Sequence, residues 1–221
     1  MKRKKIIAFL TDTRGFTLIE MAIVLIIIGI IIGAVVKGKD LVRGAEQKKI
    51  YTKYINSWRI AYLTFYDRTG KILGDTWDGS AAGQDGKADT SGGTGTSFTT
   101  AGRIALYDGP ASGTVYMGLK QVGLSAPITN TNTNYEYKYI DSEGGAHVLI
   151  MAFRYASAGK YNYMYIARIP NELGITFDTM IDGEADGTDG DFLCFTAGDA
   201  TNAAWGSTPA TEVVARWKME F

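Results

Sequence analysis

The sequence predicts an α+β protein: one long N-terminal helix packed on an antiparallel sheet of about four strands. Three observations predict it. Phe16 to Val36 is an apolar run whose only charge is Glu20. Beyond it, Tyr51, Ile55, Trp58, Tyr62 and Phe65 recur at spacings of 4, 3, 4 and 3, which is one face of a helix. In the second half of the chain, apolar and polar residues alternate in several short runs, the pattern of half-buried strands.

The apolar run comes first in the chain. At 1.5 Å rise per residue, ~20 residues span roughly 30 Å of hydrocarbon. Lys2, Arg3, Lys4, Lys5 and Arg14 precede it, which favours a cytoplasmic N-terminus and places the chain after Lys37 outside. An ordinary secretory signal has a small-residue cleavage site after its apolar stretch. Here the helix-breaking Gly15 lies before the stretch instead. A cut there would remove the leader charges and leave the apolar segment on the product. Glu20 would cost about 2.5–3.5 kcal/mol inside an apolar helix, so it calls for a partner. Cleavage at Gly15 would give Phe16 a free amino group, and that charge on one copy would pair with Glu20 of the next. A plain membrane anchor is the competing reading, and it leaves Glu20 without a role. Gly29 and Gly33 form a G-x-x-x-G spacing that lets helices approach closely.

Gly15-Phe16-Thr17-Leu18-Ile19-Glu20-Met21, followed by an Ile/Val-rich run, resembles the class III signal of type IV prepilins and type II secretion pseudopilins. The resemblance implies the pilin fold and no enzymatic activity. It implies that a membrane peptidase cuts after Gly15 and methylates Phe16, and that Glu20 sets subunit registration. It divides the chain into a leader (1–15), a transmembrane and filament-core helix (16–37), an amphipathic continuation (38–69) and a globular domain (70–221). Many members of the family have a proline where this chain has Lys37; Gly29, Gly33 and Gly38 would supply flexibility instead.

The amphipathic half carries Lys48, Lys49, Lys53 and Arg59 off its aromatic face and ends in Asp67-Arg68-Thr69-Gly70, a helix stop. Residues 70–100 read as loop. Within them Lys71-Ile72-Leu73-Gly74-Asp75 is similar to the leucine-proline-glycine-aspartate turn of some pilin-like proteins, with Leu73 in place of proline. Tyr116 to Leu124 is expected to hold a short helix. Tyr135, Tyr137 and Tyr139 alternate with polar residues, His147–Tyr155 and Tyr161–Ile169 form a hairpin around Ala156–Lys160, and Ala215, Trp217, Met219 and Phe221 alternate at the end. The TNTNTN tract at 129–134 is expected to be an exposed loop.

Asp182, Glu184 and Asp186, followed by Gly187, copy the start of a calcium loop, where oxygens at alternate positions converge and glycine permits the turn. An EF-hand would close with glutamate at its twelfth position; Leu193 stands there, so Asp189 or Asp191 would have to close the site. A solvated acidic turn is the alternative. Asp85 and Asp89 form a second, sparser acidic pair.

Across 221 residues, 23 basic and 23 acidic side chains balance; without residues 1–15 the count is 18 against 22, or −4. That acidic balance gives no whole-molecule reason to bind nucleic acid. Cys194 is the only cysteine, so no internal disulfide forms, and it reads as a small buried hydrophobe. His147 is the only histidine and has no cysteine or acidic cluster near it in sequence. No phosphate-cradling loop or serine nucleophile elbow is present.

The expected function is therefore structural: a subunit that associates with copies of itself in a filament. Its expected partners are a prepilin peptidase, the inner-membrane assembly machinery and, before assembly, the membrane. Its expected location is the inner membrane as precursor, then an extracellular or periplasm-spanning filament. A type II secretion pseudopilin, a monomeric anchored calcium-dependent binding or adhesive domain, and a DNA-binding minor pilin remain as alternatives.

Overall fold

The computed structural model describes residues 15–75, 86–88, 100–109, 118–157, 159–195 and 201–220. The leader, the Asp85 and Asp89 pair, and the start of the Tyr116–Leu124 stretch lie outside them. The chain divides into two compact units, Met1–Glu46 and Gln47–Phe221.

Helix α1 (Leu18–Ile50) supplies the described part of the first unit. From Leu18 to Val42 its apolar side chains are exposed, and an 18-residue stretch of mean hydropathy 3.0 makes it long and apolar enough to cross a membrane; Ile50, at its end, is buried. It runs unbroken through Lys37.

In the second unit the helical chain continues through a π turn at Tyr51–Ile55 into α2 (Asn56–Thr69). Gly70 ends it in the left-handed conformation, φ 67°, its N–H bonded to the Tyr66 carbonyl. The buried face is Ile50, Tyr54, Ile55, Trp58, Ala61, Tyr62 and Phe65. Tyr51, expected on that face, is only partly buried; the residue gained in the wider π turn puts Tyr54 in the inner place.

The sheet has five strands, one more than expected, in the order β1-β2-β3-β5-β4, antiparallel at every join. They are β1 (Glu136–Ile140), β2 (Ala146–Ala156), β3 (Tyr161–Pro170), β4 (Phe192–Phe195) and β5 (Glu212–Lys218). The additional strand, β4, is wholly buried, so its sequence FLCF shows no alternation. One face of the sheet presents Met151, Phe153, Met164, Ile166 and Trp217 to the helix. The rings interlock: Phe153 lies 4.8 Å from Tyr62 and 6.1 Å from Trp58, and Tyr54 lies 5.0 Å from Tyr137.

Two shorter helices complete the unit: α3 (Thr100–Asp108) and α4 (Asn171–Ile181). The loop expected over 70–100 thus gives way at its end to α3, whose stop signal is Gly109 at φ 83°. The expected helix at 116–124 is a 3-10 turn, Leu119–Val122. Leu73 is buried, and the Asp75 carboxylate accepts the Gly86 N–H at 2.8 Å.

Both edges of the sheet are closed. At β1, the Asn130 side chain donates to the Lys138 carbonyl at 2.8 Å and accepts the Lys138 N–H at 2.7 Å, as a neighbouring strand would. The TNTNTN tract is therefore half-buried and fastened; the Thr131 hydroxyl donates to the Glu136 carbonyl at 3.0 Å. At β4, Cys194 N–H bonds to the Gly187 carbonyl at 2.8 Å, and the Cys194 carbonyl accepts from Ala203 at 2.9 Å.

Phe153→Ala should destabilise the full chain by about 3–5 kcal/mol in denaturant titrations. Ile60→Ala, at a position 53% exposed on the same helical segment, should change stability by no more than about 0.5 kcal/mol.

Candidate functional site

At the start of α1, the Thr17 N–H and hydroxyl both donate to one Glu20 carboxylate oxygen, at 2.7 and 2.8 Å. The Thr17 hydroxyl in turn accepts the Glu20 N–H at 3.3 Å. This is a capping box: the side chain three residues into the helix returns to the chain entering it, and satisfies donors that have no intrahelical partner. The Thr-x-x-Glu spacing is legible in sequence, and Thr17 gives Glu20 a partner within its own chain where one on another copy was expected. Gly15 precedes the box, so a cut after Gly15 would leave it whole. Phe16, beside the junction, is 81% exposed. Further along, a Cβ built on Gly29 or Gly33 would meet nothing within 4 Å, so this strip of the helix is open in the single chain.

The acidic loop after α4 fastens itself. One Asp182 oxygen accepts the N–H groups of Asp191 and Phe192 at 3.0 and 2.8 Å. One Asp186 oxygen accepts those of Thr188 and Asp189 at 2.9 and 3.1 Å. Glu184, Asp189 and Asp191 point to solvent. Among the described residues no group of three or more His, Cys, Asp or Glu side chains is placed to hold a metal ion. Asp178, which the sequence did not single out, sits beneath this loop and is fully buried. Its Oδ2 accepts from Trp205 Nε1 at 2.6 Å and from Gly187 N–H at 3.0 Å, while its Oδ1 is buried with no partner among the described residues. Burial raises its pKa, and the charges of Asp182 and Asp186 add to the shift.

His147 lies in a setting its sequence neighbours do not announce. It opens β2 and is 7% exposed. Its Nε2 is 2.7 Å from Asp141 Oδ2 and its Nδ1 is 2.9 Å from Glu212 Oε1. Arg168 reaches Glu212 at 3.0 Å from a β-bulge in β3, where its φ is 59°. Burial opposes a charge on His147, but bonds to two carboxylates outweigh it, so the pKa is raised. The histidine bond is the largest cause lowering that of Asp141. Cys194 is buried, and burial pushes its thiol up to about 11, with Asp178 adding to the effect. Such a thiol carries little thiolate.

Residues 11–36 match the family model of the prokaryotic N-terminal methylation motif. The chain carries the prepilin-type signature. The matched span holds the Gly15–Phe16 junction, the Thr17–Glu20 box and both Gly29 and Gly33. Neither the curated proteins nor the solved structures include a match to the chain. Prepilin-type proteins are structural subunits rather than enzymes. The signature implies processing by a prepilin peptidase and assembly into filaments in general. It agrees with membrane anchoring of the prepilin-type precursor through its apolar helix.

His147 provides a pH test of the fold. Its pKa is higher folded than unfolded, so its contribution is full below the unfolded value and is lost as pH rises through the folded one. Unfolding free energy should therefore fall as pH rises above the ordinary histidine value of about 6.5. His147→Gln should flatten that slope in denaturant titrations at several pH values.

Proposed function

We propose that this chain is a structural subunit of a type IV pilus or pilus-like filament. A prepilin peptidase processes it after Gly15, and it assembles through its N-terminal helix. The precursor sits in the inner membrane, and the assembled filament is extracellular or spans the periplasm. The observation that carries this reading is the methylation motif at residues 11–36, set at the start of a helix whose apolar half is exposed along its length. An exposed apolar helix needs either lipid or other helices around it. Cleavage leaves it on the product, and identical copies supply the helices.

Glu20 serves both stages in this reading. In the membrane its charge rests on Thr17 and on the positive end of its own helix. In the filament it pairs with the Phe16 amino group of a neighbouring copy. Gly29 and Gly33 provide the flat strip on which helices approach.

The N-terminal mass of protein purified from its native cells tests the reading, wild type beside Gly15→Ala. The wild type should begin at an N-methylated Phe16, and the variant should keep its leader. An intact leader in both overturns the proposal. Glu20→Ala should be cut normally and fail to build filaments.

A calcium ion at the acidic loop is a second proposal. It is favoured by Asp178 Oδ1, a buried carboxylate oxygen with no partner among the described residues, beside Asp182 and Asp186. Asp182, Glu184, Asp186, Asp189 and Asp191 are the side chains from which a rearranged loop would draw its ligands. Millimolar calcium should raise the melting temperature of the wild type and not that of Asp178→Asn, measured against chelator; no change in the wild type sinks the idea.

A further inference from the structure

A polar cleft lies between α3 and the TNTNTN tract. Its volume is about 230 Å³. Asn132, Thr133 and Asn134 form one wall, and Arg103, Ile104 and Asp108 the other. Tyr135 closes the back, with the Arg103 guanidinium 5.1 Å from its ring centre. We propose that this cleft binds a glycan, taking a single pyranose ring.

The tract divides its labour residue by residue. Thr129, Asn130 and Thr131 hold it to β1 and to itself. The Thr131 hydroxyl also accepts the Thr133 N–H at 3.3 Å, so the wall is set before any ligand arrives. By contrast, the side-chain amides of Asn132 and Asn134 make no hydrogen bond to a described residue. Each offers two donors and an acceptor to the cleft. Prefixed groups of this kind lower the ordering cost of binding.

The mixture of groups selects the ligand class. A sugar hydroxyl both donates and accepts, and the cleft pairs donors (Arg103, the amides) with acceptors (Asp108, the amides). An inorganic anion needs donors alone and would face the Asp108 carboxylate, 3.4 Å from Lys120. An apolar ligand would strand both amides without partners. Ile104, 44% exposed, offers an apolar patch to the C–H face of a ring. The volume lies below the ~300–1,000 Å³ of sites for drug-sized molecules, which suits one ring at the end of a chain. The proposal does not depend on filament assembly, because an anchored monomer would present the same cleft.

The test uses the full chain in a detergent without a sugar headgroup, on a printed array of neutral oligosaccharides, followed by calorimetric titration with the best binder. Retention of a hexose-bearing oligosaccharide is expected. Asn132→Ala combined with Asn134→Ala should cost at least about tenfold in affinity, close to 1.4 kcal/mol, with an unchanged melting temperature. Asn132→Asp, which keeps the shape and removes two donors, should weaken binding in the same direction. An empty array, binding indifferent to these substitutions, or displacement by inorganic sulfate would each overturn the proposal.

Discussion

Tyr54, Trp58, Tyr62 and Phe65 are each able to bury ~150–250 Å², and all four do so against one face of the sheet. This contact is the constraint from which the rest of the Gln47–Phe221 unit follows. It requires the helix to keep its aromatic face in phase past residue 50, and the π turn at Tyr51–Ile55 is where the phase is adjusted. It also requires strands whose inward residues are large, which Phe153, Met164 and Trp217 supply. The network at the end of the stripe has the same origin. Gln47 donates to the Tyr139 hydroxyl at 3.2 Å, and Tyr139 donates to Glu172 at 2.5 Å, so the helix, β1 and α4 meet through polar groups where the apolar contact ends.

A domain with one cysteine must hold its loops by other means. Here aspartate does so repeatedly. Asp75 accepts an N–H from Gly86, Asp141 from Glu143 and Gly145, Asp178 from Gly187, Asp182 from Asp191 and Phe192, and Asp186 from Thr188 and Asp189. A charged acceptor makes a stronger bond to a backbone N–H than a neutral one does. The acidic balance outside the leader is in part the sum of these fastenings, and it helps to explain why glycine sits beside so many of them.

What the sequence disclosed depended on period and spacing. The apolar run, the aromatic stripe from Tyr51 to Phe65, the hairpin of β2 and β3, and the terminal strand were all legible because their signals repeat. The Gly15–Glu20 motif was legible because it is local. Strand β4 is buried on both faces and so has no alternation, and its FLCF run is legible only as an apolar, strand-like stretch. Two features were hidden for physical reasons. Helix α3 has only 9 residues and contains Gly102, so it is too short to announce itself by period. His147 meets Asp141 six positions away, but its other partner, Glu212, is 65 positions away and reaches it only once β3 and β5 have paired. Linear spacing records nothing of that kind. The Thr17–Glu20 box is local, a Thr-x-x-Glu spacing, and gives the charge a partner within its own chain.

The Asn130 clamp on β1 and the Gly187 and Ala203 bonds on β4 leave no row of free donors and acceptors along either side of the sheet. Open rows of that sort let identical chains zip together strand by strand into cross-β aggregates, and the hazard grows with crowding. A protein held in many copies in one membrane lives at high local concentration. With its strands sealed, such a population is protected from the irreversible route to polymerisation. On the proposed reading, copies then come together through helices, whose contacts can form and come apart again.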